Sequence, residues 1–179
     1  MRVLGAILAG GRSTRFGSDK ALAIVEGRRL LDHAADALRA QTDALIICGR
    51  DWPGLTGIAD RPSPDLGPLG GLNAALHHAS SRGFDAVLCV PVDVYPLPAG
   101  LRAMLEGTGP RVLAGQWSIG FWPASLAPAL EDHLAAGRNS LKSWIAASGA
   151  DRVDDSALGL ANINRVEDRL GLRQNAAEI

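Results

Sequence analysis

Hydrophobic positions along the first half of the chain switch between a strand period and a helix period. Residues 2–8 form a short apolar run, after which Leu30, Leu31, Ala34, Ala35 and Leu38 recur at helical spacing. Residues 44–48 make a second strand-like run and residues 57–59 a short third one. Leu69, Leu72, Ala75, Leu76 and Ala79 then mark another amphipathic helix. Residues 86–92 are apolar on both faces, as in a parallel strand covered by helices above and below. Beyond Asp93 the pattern loosens. A helix is expected over 101–106, strands over 111–115 and 119–122, helices over 126–136 and 141–147, a strand around 160–163 and a closing helix over 166–170. The alternation predicts an α/β fold with a doubly wound, mostly parallel, Rossmann-like sheet. With no internal repeat, low-complexity tract or linker, residues 1–179 read as one domain.

Composition narrows the function classes. A chain of 179 residues can bury about 70% of the surface its unfolded form exposes, so a sizeable core is expected. Its apolar share of 47% and charged share of 21% fit a soluble globular protein, and its longest apolar runs are far too short to cross a bilayer. Lys plus Arg at 18 against Asp plus Glu at 19 leaves no basic footprint for nucleic acid, so any anion binding must be local. The N-terminus runs straight into the first strand without the features of a signal peptide, and the cytoplasm is the expected location. Cys48 and Cys89 lie in apolar runs without metal-ligand spacing and read as buried hydrophobes of a reducing compartment. His77 and His78 are adjacent on a helix and face apart, and His33 and His133 stand alone. There is no Gly-x-Ser-x-Gly nucleophile elbow.

The chemistry concentrates after the first strand, in Leu8-Ala9-Gly10-Gly11-Arg12-Ser13-Thr14-Arg15-Phe16-Gly17-Ser18-Asp19-Lys20. Glycines let the backbone turn and approach a ligand, successive N–H groups can converge on an oxyanion, and Arg12, Arg15 and Lys20 supply positive charge. The loop is not a P-loop, because Gly11 and Gly17 are one residue too far apart and Ser18 follows Gly17. It also lacks the dinucleotide fingerprint Gly-x-Gly-x-x-Gly. In an open α/β sheet ligands bind where the strand order reverses. If the order begins third, second, first, fourth, the first and fourth strands deliver Gly10, Gly11 and Asp93 to one crevice.

Asp93 closes the buried run and offers a hard oxygen ligand suited to Mg²⁺, which takes one or two carboxylates plus phosphates and water. Capping of the next turn is the alternative. Asp60 opens a turn-rich stretch that leads to Gly67-Pro68-Leu69-Gly70-Gly71. Its carboxylate suits a ligand that presents adjacent donors, and equally a turn in which Asp60 bonds its own backbone and Pro68 starts a helix; both readings can hold together.

The pattern Leu-Ala-Gly-Gly-x-Ser-x-Arg-x-Gly-x-Asp-Lys, met at every fixed position by residues 8–20, resembles the signature of the molybdenum cofactor guanylyltransferase (MobA) family. These are nucleotidyltransferases of GT-A-like fold. The resemblance covers about residues 3–168. It implies transfer of GMP from GTP to a molybdopterin-type molybdenum cofactor with Mg²⁺ as the cofactor ion, and cofactor-biosynthesis or molybdoenzyme-maturation proteins as partners. It assigns Leu8, Ala9, Gly10, Gly11, Lys20, Cys48, Asp60, Gly67, Gly71 and Asp93 to the nucleotide. Lys20, Arg15 and Asp93 become the catalytic groups, Asp93 the metal ligand, and Asn162 and Asn164 the acceptor side, with capping an equal reading for Asn164. The chain departs from the family pattern at Cys48, where Asn is usual, at Val94-Tyr95 in place of Thr-Pro, and at Gln116-Trp117 in place of His-Pro. A cytidylyltransferase or other nucleotidyltransferase of the same fold, or a non-catalytic nucleotide-binding adaptor, is the alternative. The Asp19-Lys20 pair favours guanylyl over cytidylyl transfer.

Overall fold

The computed structural model describes residues 1–10 and 20–163, and for Lys20 the backbone alone. The first strand, β1 (Val3–Leu8), is buried at all six positions because the sheet is covered on both faces. Val3 and Ile7 join one core cluster while Leu4, Ala6 and Leu8 join the other, as the period of two requires. On one side β1 pairs in parallel with β4 (Ala44–Cys48), and on the other with β6 (Ala86–Pro91). Beyond β4 lies β5 (Thr56–Ile58), also parallel. The order is therefore third, second, first, fourth among the strands expected from the sequence, with the reversal between β1 and β6.

Two helices cover the opposite faces. The buried side of α1 (Leu30–Arg39) consists of Leu30, Leu31, Ala34, Ala35 and Leu38, the five positions whose spacing predicts the helix. Four of them join the cluster that holds Val3 and Ile7; Leu30 turns to a small separate cluster. On the other face α2 (Pro68–Ser81) packs Leu69, Leu72, Ala75, Leu76 and Ala79 against Leu4, Ala6, Leu8, Ile46 and Cys48. Each buried leucine contributes about 1.5–3 kcal/mol by leaving water.

The second half contains α3 (Leu101–Leu105), β8 (Arg111–Leu113), β9 (Gly120–Pro123), α4 (Ala127–Ala135), α5 (Leu141–Ser148) and β10 (Asp151–Val153). Among the described residues seven strands make one sheet, ordered β10-β8-β9-β6-β1-β4-β5, with β9 antiparallel to both neighbours. The expected helix over 126–136 begins as a 3₁₀ turn at Ala124–Leu126, and α4 carries Pro128 in its first turn, where a missing N–H costs nothing.

Two small sheets differ from the sequence expectation. A hairpin joins β2 (Ile24–Val25) to β3 (Arg28–Arg29) through Glu26 and Gly27, both at positive φ. The strand expected around 160–163 is present as β11 (Ala161–Asn162), but it pairs antiparallel with β7 (Val94–Tyr95) outside the main sheet. Two-residue strands carry no periodicity for a sequence to display. The expected closing helix lies outside the described residues. Among the described residues no helix is long and apolar enough to cross a membrane.

Candidate functional site

The parallel ladder lays four strand ends side by side. Ala9 N–H donates to the Cys48 carbonyl at 3.1 Å, Gly49 N–H to Ile58 at 2.9 Å and Val92 N–H to Leu8 at 3.3 Å. The backbones leaving β1 and β4 touch. A Cβ on Gly49, which sits at φ +83°, would lie 2.8 Å from Gly10 N, so neither the dihedral nor the space admits a side chain.

Asp60 occupies the middle of this junction. A Cβ on Gly10 would lie 2.7 Å from its Oδ2, one on Gly49 3.2 Å from its Oδ1, one on Gly70 3.3 Å from its Cβ and one on Gly71 3.5 Å from its Oδ1. Four glycines thus enclose one carboxylate. Oδ1 is buried and has no hydrogen-bond partner among the described residues. Burial pushes the carboxyl above its ordinary range, and the charge of Asp65 adds to the push. A cavity of about 430 Å³ opens beside it, lined by Gly10, Gly49, Arg50, Asp51, Asp60 and Asp65 among others. A buried acceptor without a donor is rare in a native fold, and two adjacent N–H donors on a bound molecule would satisfy it. The helix-start reading of the same stretch also holds. Pro68 is the first residue of α2, and Gly67 precedes it at φ +62°, ψ −152°, a region open to glycine.

Cys48, an apolar strand-end residue that the resemblance also sets at the nucleotide pocket, is held by packing. Its side chain is fully buried, a Cβ on Gly71 would lie 3.1 Å from its own Cβ, and burial pushes its thiol up. The residue serves the junction through its carbonyl, which holds Ala9. A strand end pressed beneath a helix leaves room for a small apolar group only.

Asp93 lies in the turn between β6 and β7, half-buried, at the same end of the sheet as Gly10. Its carbonyl accepts from Ile163 N–H at 2.8 Å, which draws β11 over the turn and brings the exposed Asn162 opposite Val94. Among the described residues no group of three or more His, Cys, Asp or Glu could hold a metal ion. One strand-end carboxylate fits an ion that takes few protein ligands and completes its shell from phosphate and water. Gly11, Arg15, Asn164 and the Lys20 side chain lie outside the described residues. Gln116 and Trp117 fall in the β8–β9 loop, at the same end of the sheet. There Trp117 donates to the Ala114 carbonyl at 2.9 Å and Arg152 lies 5.1 Å over its ring.

Sequence reasoning missed the group that anchors the residue after Asp60. Glu131 of α4 accepts from the fully buried Asn73 at 2.6 Å, ion-pairs with Arg61 at 3.6 Å and lies 3.0 Å from His77 Nε2. The Asn73 hydrogen bond, with Arg61 and His77 behind it, holds the Glu131 carboxyl below its ordinary range. An Asn on the buried face of α2 was its one available signal.

The MobA-like NTP transferase domain model matches residues 5–153. A molybdenum cofactor guanylyltransferase of Cereibacter sphaeroides is 35% identical, the match covering 94% of each chain; one of Rhodobacter capsulatus is 31% identical over 98% of this chain and all of its own. Among solved structures, molybdopterin-guanine dinucleotide biosynthesis protein A of Archaeoglobus fulgidus superposes with a TM-score of 0.75 at 17% identity, over 98% of this chain and 100% of that one. A 2-C-methyl-D-erythritol 4-phosphate cytidylyltransferase of Thermus thermophilus gives 0.70 at 16%, over 97% and 98%. These two likenesses concern the fold.

Proposed function

Because the chain belongs to the MobA-like NTP transferase family, we propose that this nucleotidyltransferase moves GMP from GTP to a molybdopterin-type molybdenum cofactor and releases pyrophosphate. The observation that carries the guanine part is the buried, unpartnered Asp60 Oδ1 in its cradle of glycines, an acceptor shaped for the paired donors of guanine. The acceptor is supported by the names of the curated relatives.

In the reaction a phosphate oxygen of the acceptor bonds to the α-phosphorus as the bond to the β-phosphate oxygen breaks, and pyrophosphate leaves with that electron pair. The attacking oxygen is already anionic, so the protein needs no general base. Its work is alignment and neutralisation of charge. The backbone at Leu8, Ala9 and Gly10, and Gly11 by its place in the motif, would serve the phosphates, with Gly67 and Gly71 on the base side. By their places in the motif, Arg15 and Lys20 supply cations. Asp93 would hold Mg²⁺, which when bound polarises phosphoryl oxygens and balances the charge of the leaving pyrophosphate. By their places in the family pattern, Asn162 and Asn164 would serve the acceptor side.

GTP with Mg²⁺ is expected to raise the thermal midpoint more than ATP, CTP or UTP do. A ligand at about 100 times its Kd stabilises by ~2.7 kcal/mol, or about 5–10 °C for a chain of this size. Differential scanning fluorimetry with the four triphosphates checks it. Equal shifts overturn the base assignment, and a CTP preference replaces it with cytidylyl transfer.

A further inference from the structure

Among the described residues, contacts from distant parts of the chain hold the turn that carries Asp93, and three of them bear on its position. Two are backbone bonds that any sequence could make, from Val92 to Leu8 and from Ile163 to Asp93. The third is a choice of side chains. The Tyr95 hydroxyl donates to the Glu26 carboxylate at 2.6 Å, across 69 residues of sequence. The resembled family pattern has proline at Tyr95, and proline could make no such bond.

Glu26 is exposed, at φ +49° in the β2–β3 turn, and that hairpin follows the 3₁₀ turn Lys20–Leu22 at the end of the glycine-rich loop. Tyr95 also packs on a satellite cluster in which Val25, Leu30 and Ile163 are the buried members. Its ring lies 4.8 Å from that of His33, whose Nε2 is 2.9 Å from the Val25 carbonyl. Three buried side chains make a small docking area, and the Tyr95–Glu26 hydrogen bond adds to what holds the hairpin to the turn.

We propose that Tyr95 is a positioning residue, whose hydrogen bond to Glu26 fixes the Asp93 turn against the hairpin beyond the glycine-rich loop. The Asp93 carboxylate and the far end of the loop then keep one spacing. The inference rests on the reading of Asp93 as the metal-side carboxylate of the nucleotide site.

The test is calorimetric titration of the whole protein with GTP, with and without Mg²⁺, which needs no acceptor and no turnover. The quantity read is the gain in GTP affinity that Mg²⁺ confers. Tyr95→Phe and Glu26→Ala are each expected to lose about threefold to tenfold of that gain, the magnitude of one net hydrogen bond. The double variant should lose no more than either alone. Glu26→Gln, which keeps an acceptor oxygen on an exposed residue, should stay within about twofold of the parent, less than one such bond. A parental gain in Tyr95→Phe, or losses that add in the double variant, overturns the proposal. Asp93→Asn serves as the reference: if it keeps the full gain, the metal-side reading of Asp93 fails and this inference falls with it.

Discussion

Asp93→Asn is expected to cut Mg²⁺-dependent turnover by about 10²–10³ or more, the cost of removing one preorganised electrostatic contact to the charge that develops on phosphorus. The substitution keeps the shape and removes the negative charge. Its backbone contact, the carbonyl that accepts from Ile163, does not depend on the carboxylate, so β11 and the turn should stay in place. Pyrophosphate release at saturating GTP across a Mg²⁺ titration measures the loss, with circular dichroism to verify the fold. Near-parental turnover at limiting Mg²⁺ would rule out Asp93 as the principal ligand.

Asp60→Asn should move stability and affinity in opposite directions. In the free protein a buried carboxylate oxygen without a partner is a cost, and the raised pKa of Asp60 gives its sign. A carboxyl raised above its unfolded value favours the fold in its protonated form. Its contribution is fully present below the unfolded value and is lost as pH rises through the folded one. As pH rises the ionising group therefore becomes a burden that the amide does not share. The variant should melt higher by about 2–4 °C for each kcal/mol relieved. Guanine, in contrast, loses hydrogen bonds to a charged acceptor, worth about 1.5–3 kcal/mol, or roughly tenfold to a hundredfold in Kd. Discrimination against ATP should narrow in parallel. Calorimetry with GTP and ATP and a melting curve at neutral pH are the measurements; an unchanged GTP affinity, or a lower melting point, contradicts the assignment.

What the sequence displays and what it conceals differ by how local the signal is. Five apolar positions predict α1 and are its buried residues, and the all-apolar run at 86–92 marks a strand covered on both sides. The glycine-rich loop and Asp93 are each legible because each lies in one stretch of chain. The cradle around Asp60 is not, since it draws Gly10, Gly49, Gly70 and Gly71 from three segments that meet only after the sheet has formed. Gly49 follows a predicted strand directly and was the available clue. The burial of Cys48 is legible in its apolar run, while packing decides what its strand end presents to the crevice. The strands β2, β3 and β7 have two residues each and β10 three, too few for alternation to register, so the contact of Tyr95 with Glu26 had no precursor in the pattern.

The two native thiols make the fold its own reporter of opening. Cys48 on β4 and Cys89 on β6 flank β1, both are buried, and burial pushes the Cys89 thiol up to about 12 and that of Cys48 higher still. A thiol-reactive reagent attacks thiolate, so neither can react until its strand separates from the helix or sheet above it. The rate of alkylation under native conditions therefore measures how often the centre of the sheet opens, without any introduced label. A nucleotide seated across β1 and β4 should slow the clock at Cys48 in proportion to its occupancy.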